Sequence, residues 1–534
     1  MRRGEYDVVV VGAGPVGLAV AIELGSRGVS VLVLERNARG GTAPRAKTTN
    51  TRTRAHLRRW GIAGKLAEAS PLGVEYPNDV HFVTALSGYS LAVFRNAFDA
   101  KPVQMEDFPE HAQWVPQYTL ERIMLEHART FSSVDVVFGH AFVTAVLDGE
   151  IVSTTIQPED GQQVTVSSRY LIGADGSRSA VRDLIGARME GTYGLSRNSN
   201  VIFRAPGLDT AHSHGPGVMV VQVQRSGISG IGPMDTGDLW YFTNRVPAGE
   251  ELSDEAALDA IRQTTGIDLP YEIVSKDLWV ASELLADRYS QGPIILAGDA
   301  CHLHPPFGGY GMNMGVGDGV DLGWKIAAEL QGWGGADLVA SYEAERRPVH
   351  RYVMDEAIAN HAMLIGSPWR EGLSENSQRG DEVRRTVGAA LQQAKAREYH
   401  TLGTVLGLCY TGSPIIARED GPAPEQGGQV YTPSAYPGCL APHGWLADGR
   451  SLYDAFGNGF ALVAANDAEE SEIDEARAEA RLLGVPFKVV RPGESITRRY
   501  GAKLALIRPD QIVAWRGDRW NGALRLATAN PGTG

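Results

Sequence analysis

Cysteine is scarce in this chain: three residues, Cys301, Cys409 and Cys439, and no CxxC pair. A disulfide framework or a thiolate zinc site is therefore not expected, and a reducing cytoplasm is the simplest compartment. A surplus of positive charge is also missing. At a formal net charge of −13 the chain would repel the phosphates of nucleic acid or of an anionic membrane, so neither is expected as a partner. No apolar run reaches the roughly 18 residues that a membrane-spanning helix needs. The N-terminal MRRGEYDVVVVGAG has the basic start of a secretion signal, but Glu5, Asp7 and Glu23 interrupt the apolar stretch. No internal repeat or low-complexity tract breaks the 534 residues, a length that suits about three domains.

Two glycine-rich motifs carry the chemistry. The first follows an apolar strand at 7–11 with Gly12-x-Gly14-x-x-Gly17, places Ala21, Leu24 and Gly28 at helix-packing spacings, and ends a second strand in Glu35. This is a complete βαβ dinucleotide fingerprint. Its glycines let a pyrophosphate approach a helix N-terminus, Glu35 can accept hydrogen bonds from an adenosine ribose, and Arg36 can stack on adenine. FAD and NAD fit this half equally well. The second motif, LAGDACHLHPPFGGYGMNMG at 296–315, selects a flavin. Gly298 turns the chain so that Asp299 can point at a polyol such as the ribityl chain. Gly308, Gly309 and Gly311 then remove side chains where N–H groups meet an anionic edge. A helix starting at Gly311, Met312 and Asn313 offers partial positive charge to a reduced flavin. The C-H-x-H run at 301–304 resembles metal ligands, but the flavin motif accounts for the segment and no second ligand cluster accompanies it, so no metal is expected.

Elsewhere the patterning is organisational. Residues 76–105 are rich in aromatics, Leu120, Met124 and Leu125 share a helical face, and 134–137 and 164–166 read as strands. From 190 to 285 the text alternates in strand fashion, which predicts a sheet-rich domain inserted into the dinucleotide-binding one. His212 and His214, in a Gly/Ser-rich loop, are expected to be solvated. After a Gly/Pro/Tyr-rich linker at 426–438, GFALVAAND, VPFKVVR and LALIRPDQIVAWR read as three strands, with an Ala/Glu/Arg-rich helix at 469–483.

A third motif, LIGADGSRSAVRDLIG at 171–186, completes a resemblance. With it the chain resembles the class A flavoprotein aromatic hydroxylases, the group of the para-hydroxybenzoate and phenol hydroxylases. The likeness continues through DLGWKIAAEL at 321–330 and SYEAERRPV at 341–349, and the last unit resembles the thioredoxin-like C-terminal domain of the phenol and polyketide hydroxylase branches. The implied fold is α/β: an FAD-binding Rossmann-like domain (1–75, 106–189 and 286–400), an inserted β-sheet substrate domain (76–105 and 190–285), and a linker with a thioredoxin-like domain (401–534). Lacking CxxC, that last domain is expected to serve packing or pairing into a homodimer rather than thiol chemistry.

The resemblance also assigns residues. Asp175 corresponds to a position tied to FAD and pyridine nucleotide, Arg45 to a cation beside the flavin, and Gln117 to a glutamine bonding the flavin's polyol or phosphate, with a helix cap as its alternative role. Pro306 aligns with a proline whose carbonyl faces substrate. Lys47 stands where related phenol hydroxylases carry an acid or a histidine; a cation there cannot accept a proton but can stabilise a phenolate. With no second GxGxxG, NADH or NADPH is expected to bind transiently, reduce FAD and let O2 add at flavin C4a, giving a hydroperoxide that hydroxylates a small phenolic aromatic substrate. A bulky aromatic polyketide or antibiotic is the alternative substrate. A flavin-dependent halogenase is disfavoured because no two of the 10 tryptophans are two residues apart, and a non-catalytic flavin-binding protein is the remaining alternative.

Overall fold

The structure is a computed structural model that describes residues 4–38, 46–159, 161–247, 249–250, 252–365 and 368–531, with backbone alone for 361–365. Its centre is a six-stranded sheet in the order Ser290–Gln291, Ile294–Leu296, Tyr170–Gly173, Val8–Val11, Val31–Glu35, Val134–Phe138. All neighbours are parallel except the 290–291 strand. Parallel strands are covered on both faces, which explains why VVVV and VLVL carry no polar alternation. The register sets Val11 beside Leu34 and Gly173, and Gly173 beside Leu296. The carboxyl ends of four strands, each followed by one of the motif residues, therefore form one edge.

Two helices start at that edge, Pro15–Gly25 and Gly311–Leu330, and they pack in parallel. Glycines at four-residue spacing on the long helix make the contact. A β-carbon at Gly315 would lie 2.6 Å from Val16 Cγ2, one at Gly319 2.7 Å from the Ala19 β-carbon, and one at Gly323 would collide with Glu23.

An eight-stranded sheet lies beside this unit, ordered His302–Leu303, Glu272–Ala286, Met189–Arg204, Leu239–Arg245, Gly227–Pro233, Met219–Gln224, Val80–Val83, Ser90–Phe94. Segments far apart in sequence share it because Val80–Val83 pairs in parallel with Met219–Gln224. His212 and His214 differ from expectation. Both are half-buried and ring-stacked at 5.9 Å rather than solvated.

The C-terminal unit is thioredoxin-like, with four strands ordered Phe487–Val490, Phe460–Ala464, Leu504–Ile507, Val513–Gly517. The helix Glu470–Leu483 connects the parallel pair. LALIRPDQIVAWR is two antiparallel strands, not the one expected. The chain reverses at Gln511, whose φ is 69°, with Arg508 N–H bonded to the Ile512 carbonyl. The unit docks on the long helix through Trp324, Trp333 and Phe460. Beside them a buried ion network joins Arg508 to Glu345 at 2.6 Å, Asp510 at 2.6 Å and Asp321 at 3.1 Å, and Lys325 to Asp321 and Glu345 at 2.8 Å each.

The expectation of no disulfide is corrected. Cys409 and Cys439 are bonded, and the antiparallel bridge between them brings together residues separated by 30 in sequence, a pairing that no local spacing signals. Closing such a loop restricts the unfolded chain, so Cys439→Ser is expected to lower stability by about 2–4 kcal/mol. Scanning calorimetry would read the drop, and a reduced parent should match the variant. Turnover at low temperature should stay near parental.

Candidate functional site

The glycines of the first motif divide by role. A β-carbon at Gly12, whose φ is +107°, would collide with the Ala174 carbonyl, and one at Gly17 with the Gly12 carbonyl. These two shape the turn. Gly14 differs, because nothing lies within 4 Å of the β-carbon it lacks. It leaves an open cradle at the N-terminus of Pro15–Gly25, where no side chain caps the first N–H groups. An uncapped helix start beside open space suits a pyrophosphate, and so fits FAD. Glu35 borders the cradle, accepting from Ala13 N–H at 3.1 Å and from both the main-chain and side-chain nitrogens of Asn37. Arg36 is exposed.

Asp175 and Asp299 end the neighbouring strands. The Asp175 carboxylate accepts from Ser179 Oγ at 2.5 Å and from Ala180 N–H at 2.7 Å, which fixes the start of the short helix Ala180–Leu184. Arg182 on that helix donates to the Ala300 carbonyl and ties it to the turn carrying Asp299. Asp299 itself is half-buried in the turn Gly298–Ala300.

At the long helix, Gly311 follows Tyr310 without any side-chain cap, and Met312 is half-buried beside it. Asn313 reaches the other way. Its Oδ1 accepts from Asn50 N–H at 2.9 Å, and its Nδ2 donates to the carbonyls of Thr48 and Gly309. Gln117 does similar work at the other end of the segment 46–50. Its Oε1 accepts from Ala46 N–H at 3.1 Å while its main-chain N–H donates to the Ala46 carbonyl. It is the first residue of the helix Gln117–Ala128 and not a cap. Arg45 lies outside the described residues.

Residues 46–50 are thus pinned at both ends, and Lys47 extends from them to the second sheet. Its Nζ stands 4.1 Å from the centroid of the Tyr241 ring. Tyr241 is buried, donates to the Val218 carbonyl and lies 6.4 Å from Trp114, so the ammonium meets an aromatic wall on the eight-stranded sheet. Lys47 is half-buried, and the protein packed around its ammonium pushes the pKa down to about 8. Pro306 is exposed in the turn before the long helix.

Sequence reading missed the cluster behind this edge. Asp318 holds the 296–315 loop, accepting from Gly298 N–H at 3.0 Å, His302 Nε2 at 2.8 Å, Arg346 Nε at 2.7 Å and His350 Nε2 at 3.0 Å. Burial opposes its charge, but the Arg346 guanidinium and the hydrogen bonds it accepts outweigh that and hold its carboxyl well below the usual range. Burial pushes His350 down to about 3, so Arg346 carries the compensating charge. The only sequence signal was Arg346 and His350 at helical spacing. Cys301, His302 and Asp318 offer atoms within 4.8 Å of one another, a metal-like grouping among the described residues. Asp318 is nonetheless already neutralised by Arg346, and burial raises the Cys301 thiol well above its usual value. No helix among the described residues is long and apolar enough to cross a membrane.

Known proteins align with this arrangement along the whole chain. Residues 5–357 match the FAD binding domain family, and residues 434–530 match the aromatic-ring hydroxylase C-terminal family. A 4-methyl-5-nitrocatechol 5-monooxygenase from a Burkholderia species is 31% identical, covering 96% of this chain and 94% of its own. The rebeccamycin biosynthetic enzyme RebC, solved with 7-carboxy-K252c, superposes with a TM-score of 0.91 at 30% identity over 98% of this chain and 99% of its own. An aklavinone-11 hydroxylase, solved with FAD and aklavinone, gives 0.85 at 29% identity over 99% and 100%. With FAD as cofactor, the chain belongs to the FAD-dependent aromatic-ring hydroxylases, the class A flavoprotein monooxygenases.

Proposed function

We propose that the protein hydroxylates a phenolic ring held between the flavin edge and the eight-stranded sheet, using NADH or NADPH and O2. The observation that carries this reading is the Lys47 ammonium, poised 4.1 Å over Tyr241 of the eight-stranded sheet. Gly12, Gly14, Gly17, Glu35 and Arg36 would hold the adenosine diphosphate half of FAD. Asp299 would take the ribityl hydroxyls, with Arg45, Gln117 and Asp175 shaping the same edge, and the N–H groups of Gly311, Met312 and Asn313 would face the isoalloxazine. Bound FAD supplies the reduction of O2 at the expense of the nicotinamide and the transfer of one oxygen atom to the ring.

The chain's own part is to bind the phenol, favour its phenolate and exclude water. Lys47 would stabilise the phenolate oxygen, and the Pro306 carbonyl would border the substrate. The nitrocatechol oxygenase and the aklavinone hydroxylase bracket the size of ring to be tried. The domain bounds 1–75, 106–189 and 286–400 for cofactor, 76–105 and 190–285 for substrate, and 401–534 for docking or a homodimer belong to the same reading. A nicotinamide reductant fits a cytoplasmic enzyme, in which Cys409 and Cys439, each 4% exposed, would be shielded from the thiol pool.

The test is nicotinamide oxidation, product and H2O2 measured with a panel running from simple phenols to anthracyclinones; no phenol-stimulated turnover with either nicotinamide would refute the reading. Lys47→Met should keep FAD and basal nicotinamide oxidation but yield less product and more H2O2. Loss of the cation is expected to raise the bound phenol's pKa by about one unit, roughly a tenfold drop in phenolate below that pKa. The ammonium is charged below about pH 8 and neutral above it. Parental coupling should therefore fall as pH rises through that value, while the variant's optimum moves upward. An unchanged coupling ratio and pH profile would remove Lys47 from the reaction.

A further inference from the structure

Residues 100–111 form a loop between the sheet strand Ser90–Phe94 and the short strand Gln113–Trp114. At its neck Ala112 N–H donates to the Asp99 carbonyl at 3.2 Å, and the flanking rings of Phe98 and Trp114 stack with centroids 6.1 Å apart. These rings continue the aromatic wall, since Trp114 lies 6.4 Å from Tyr241. The returning arm also holds the Lys47 segment. Gln113 and Trp114 pair with Thr49 and Thr48, and Val115 N–H donates to the Lys47 carbonyl at 2.7 Å.

The departing arm is strained. Phe98 and Asp99 have φ of 63° and 58°, and Asn96 has 49°, so three of the five non-glycine residues with positive φ among the described residues fall in this one turn. A bulky side chain persists in that region only where its surroundings hold it there. Asp79 and Asn78 hold the start of the turn, accepting from Asn96 N–H and Ala97 N–H. The loop's tip is held from the C-terminal unit. There Trp445 Nε1 donates to the Met105 carbonyl at 2.8 Å, His443 Nδ1 donates to the Glu106 carbonyl at 2.9 Å, and Arg499 joins the Asp107 carboxylate at 2.7 Å to the His443 carbonyl at 2.9 Å. Phe108 is buried in the same core as Leu440, Tyr453 and Tyr500. Arg58 extends the grip by pairing with both Glu110 of the loop and Asp454 of the C-terminal unit. Two of these bonds take main-chain carbonyls, so they fix the path of the loop itself.

We propose that the C-terminal unit positions the substrate wall: by gripping the loop tip, Trp445, His443 and Arg499 keep Phe98 and Trp114 seated beside Tyr241, on the reading that this wall faces the substrate. Release of the tip lets the strained turn relax. Phe98 loosens first and then, through Trp114 and Val115, so does the segment that carries Lys47. Trp445, His443 and Arg499 are positioning residues, acting on the wall through the loop.

The test uses the holoprotein and the variants Trp445→Phe and Arg499→Met, followed by hydrogen exchange without substrate and by turnover of the best phenol. Amides 96–99 and 113–115 are expected to exchange about three- to tenfold faster in either variant, the factor that one or two lost hydrogen bonds supply. KM for the phenol should rise by a similar factor, while FAD content, phenol-free nicotinamide oxidation and the urea midpoint stay close to parental. Unchanged exchange at those amides, or faster exchange with an unchanged KM, would overturn the proposal. So would a KM change that only follows loss of FAD. A parent that turns over no phenol would refute the phenol reading instead, and exchange alone would then decide whether the C-terminal unit holds these rings.

Discussion

Replacing Gly14 by valine is expected to strip FAD from the protein and leave the fold standing. Gly14 has φ −74° and ψ −178°, an extended conformation that valine adopts readily, and its absent β-carbon would meet nothing within 4 Å. The branched side chain would instead fill the cradle at the helix N-terminus. Overpacking of that kind costs about 1–3 kcal/mol, a roughly 5- to 150-fold loss of cofactor affinity. Flavin absorbance per chain should fall while circular dichroism stays parental. Gly17 supplies the contrast, since a β-carbon there strikes the Gly12 carbonyl and should damage the turn itself. A Gly14→Val protein that keeps its FAD would place the pyrophosphate elsewhere.

The largest effect on stability is expected from Arg508→Met. Arg508 is fully buried and is the shared partner of Asp321, Glu345 and Asp510. Removing it leaves Asp321 and Glu345 sharing Lys325 alone and takes the Arg508 cation from Asp510, in a dry interior. Breaking a buried pair from one side typically costs about 3–5 kcal/mol, because the remaining charges lose their compensation. Urea unfolding should show that loss, and limited proteolysis should release the C-terminal unit before the rest of the chain is cut. Stability close to parental would mean that the contact of Trp324, Trp333 and Phe460 holds the junction alone.

What the sequence revealed and what it hid follow a physical division. The glycine fingerprint, the parallel strands and the helix of the C-terminal unit were legible because their signals are local: a backbone conformation, a period, an unbroken apolar run. The partners of Arg508 were not, since Glu345 lies 163 residues away and nothing in either neighbourhood marks the pair. The Cys409–Cys439 bond was hidden for the same reason. Asp175 and Asn313 show a subtler boundary. Sequence identified both as polar residues at the cofactor edge, and the structure engages their side chains with Ser179, Ala180, Thr48 and Asn50. A motif reports that a polar group is needed at a position. It does not report whether its partner is a ligand or the chain itself. Asp318 was hidden in the sequence because it stands between Gly317 and Gly319, in a run whose glycines alone account for the helix contact.

The glycine stripe of Gly315, Gly319 and Gly323 separates what can evolve from what cannot. Where two helices meet through side chains, a substitution on one can be absorbed by repacking on the other. Here the long helix meets Val16, Ala19 and Glu23 through glycines, so at those three points the close approach leaves no slack for adjustment. Both helices begin at the cofactor edge, and the vector from one start to the other is therefore inherited unchanged by any variant that folds. On the proposed function, changes of substrate would then accumulate on the separate sheet around Tyr241, where alteration leaves the flavin's seat untouched.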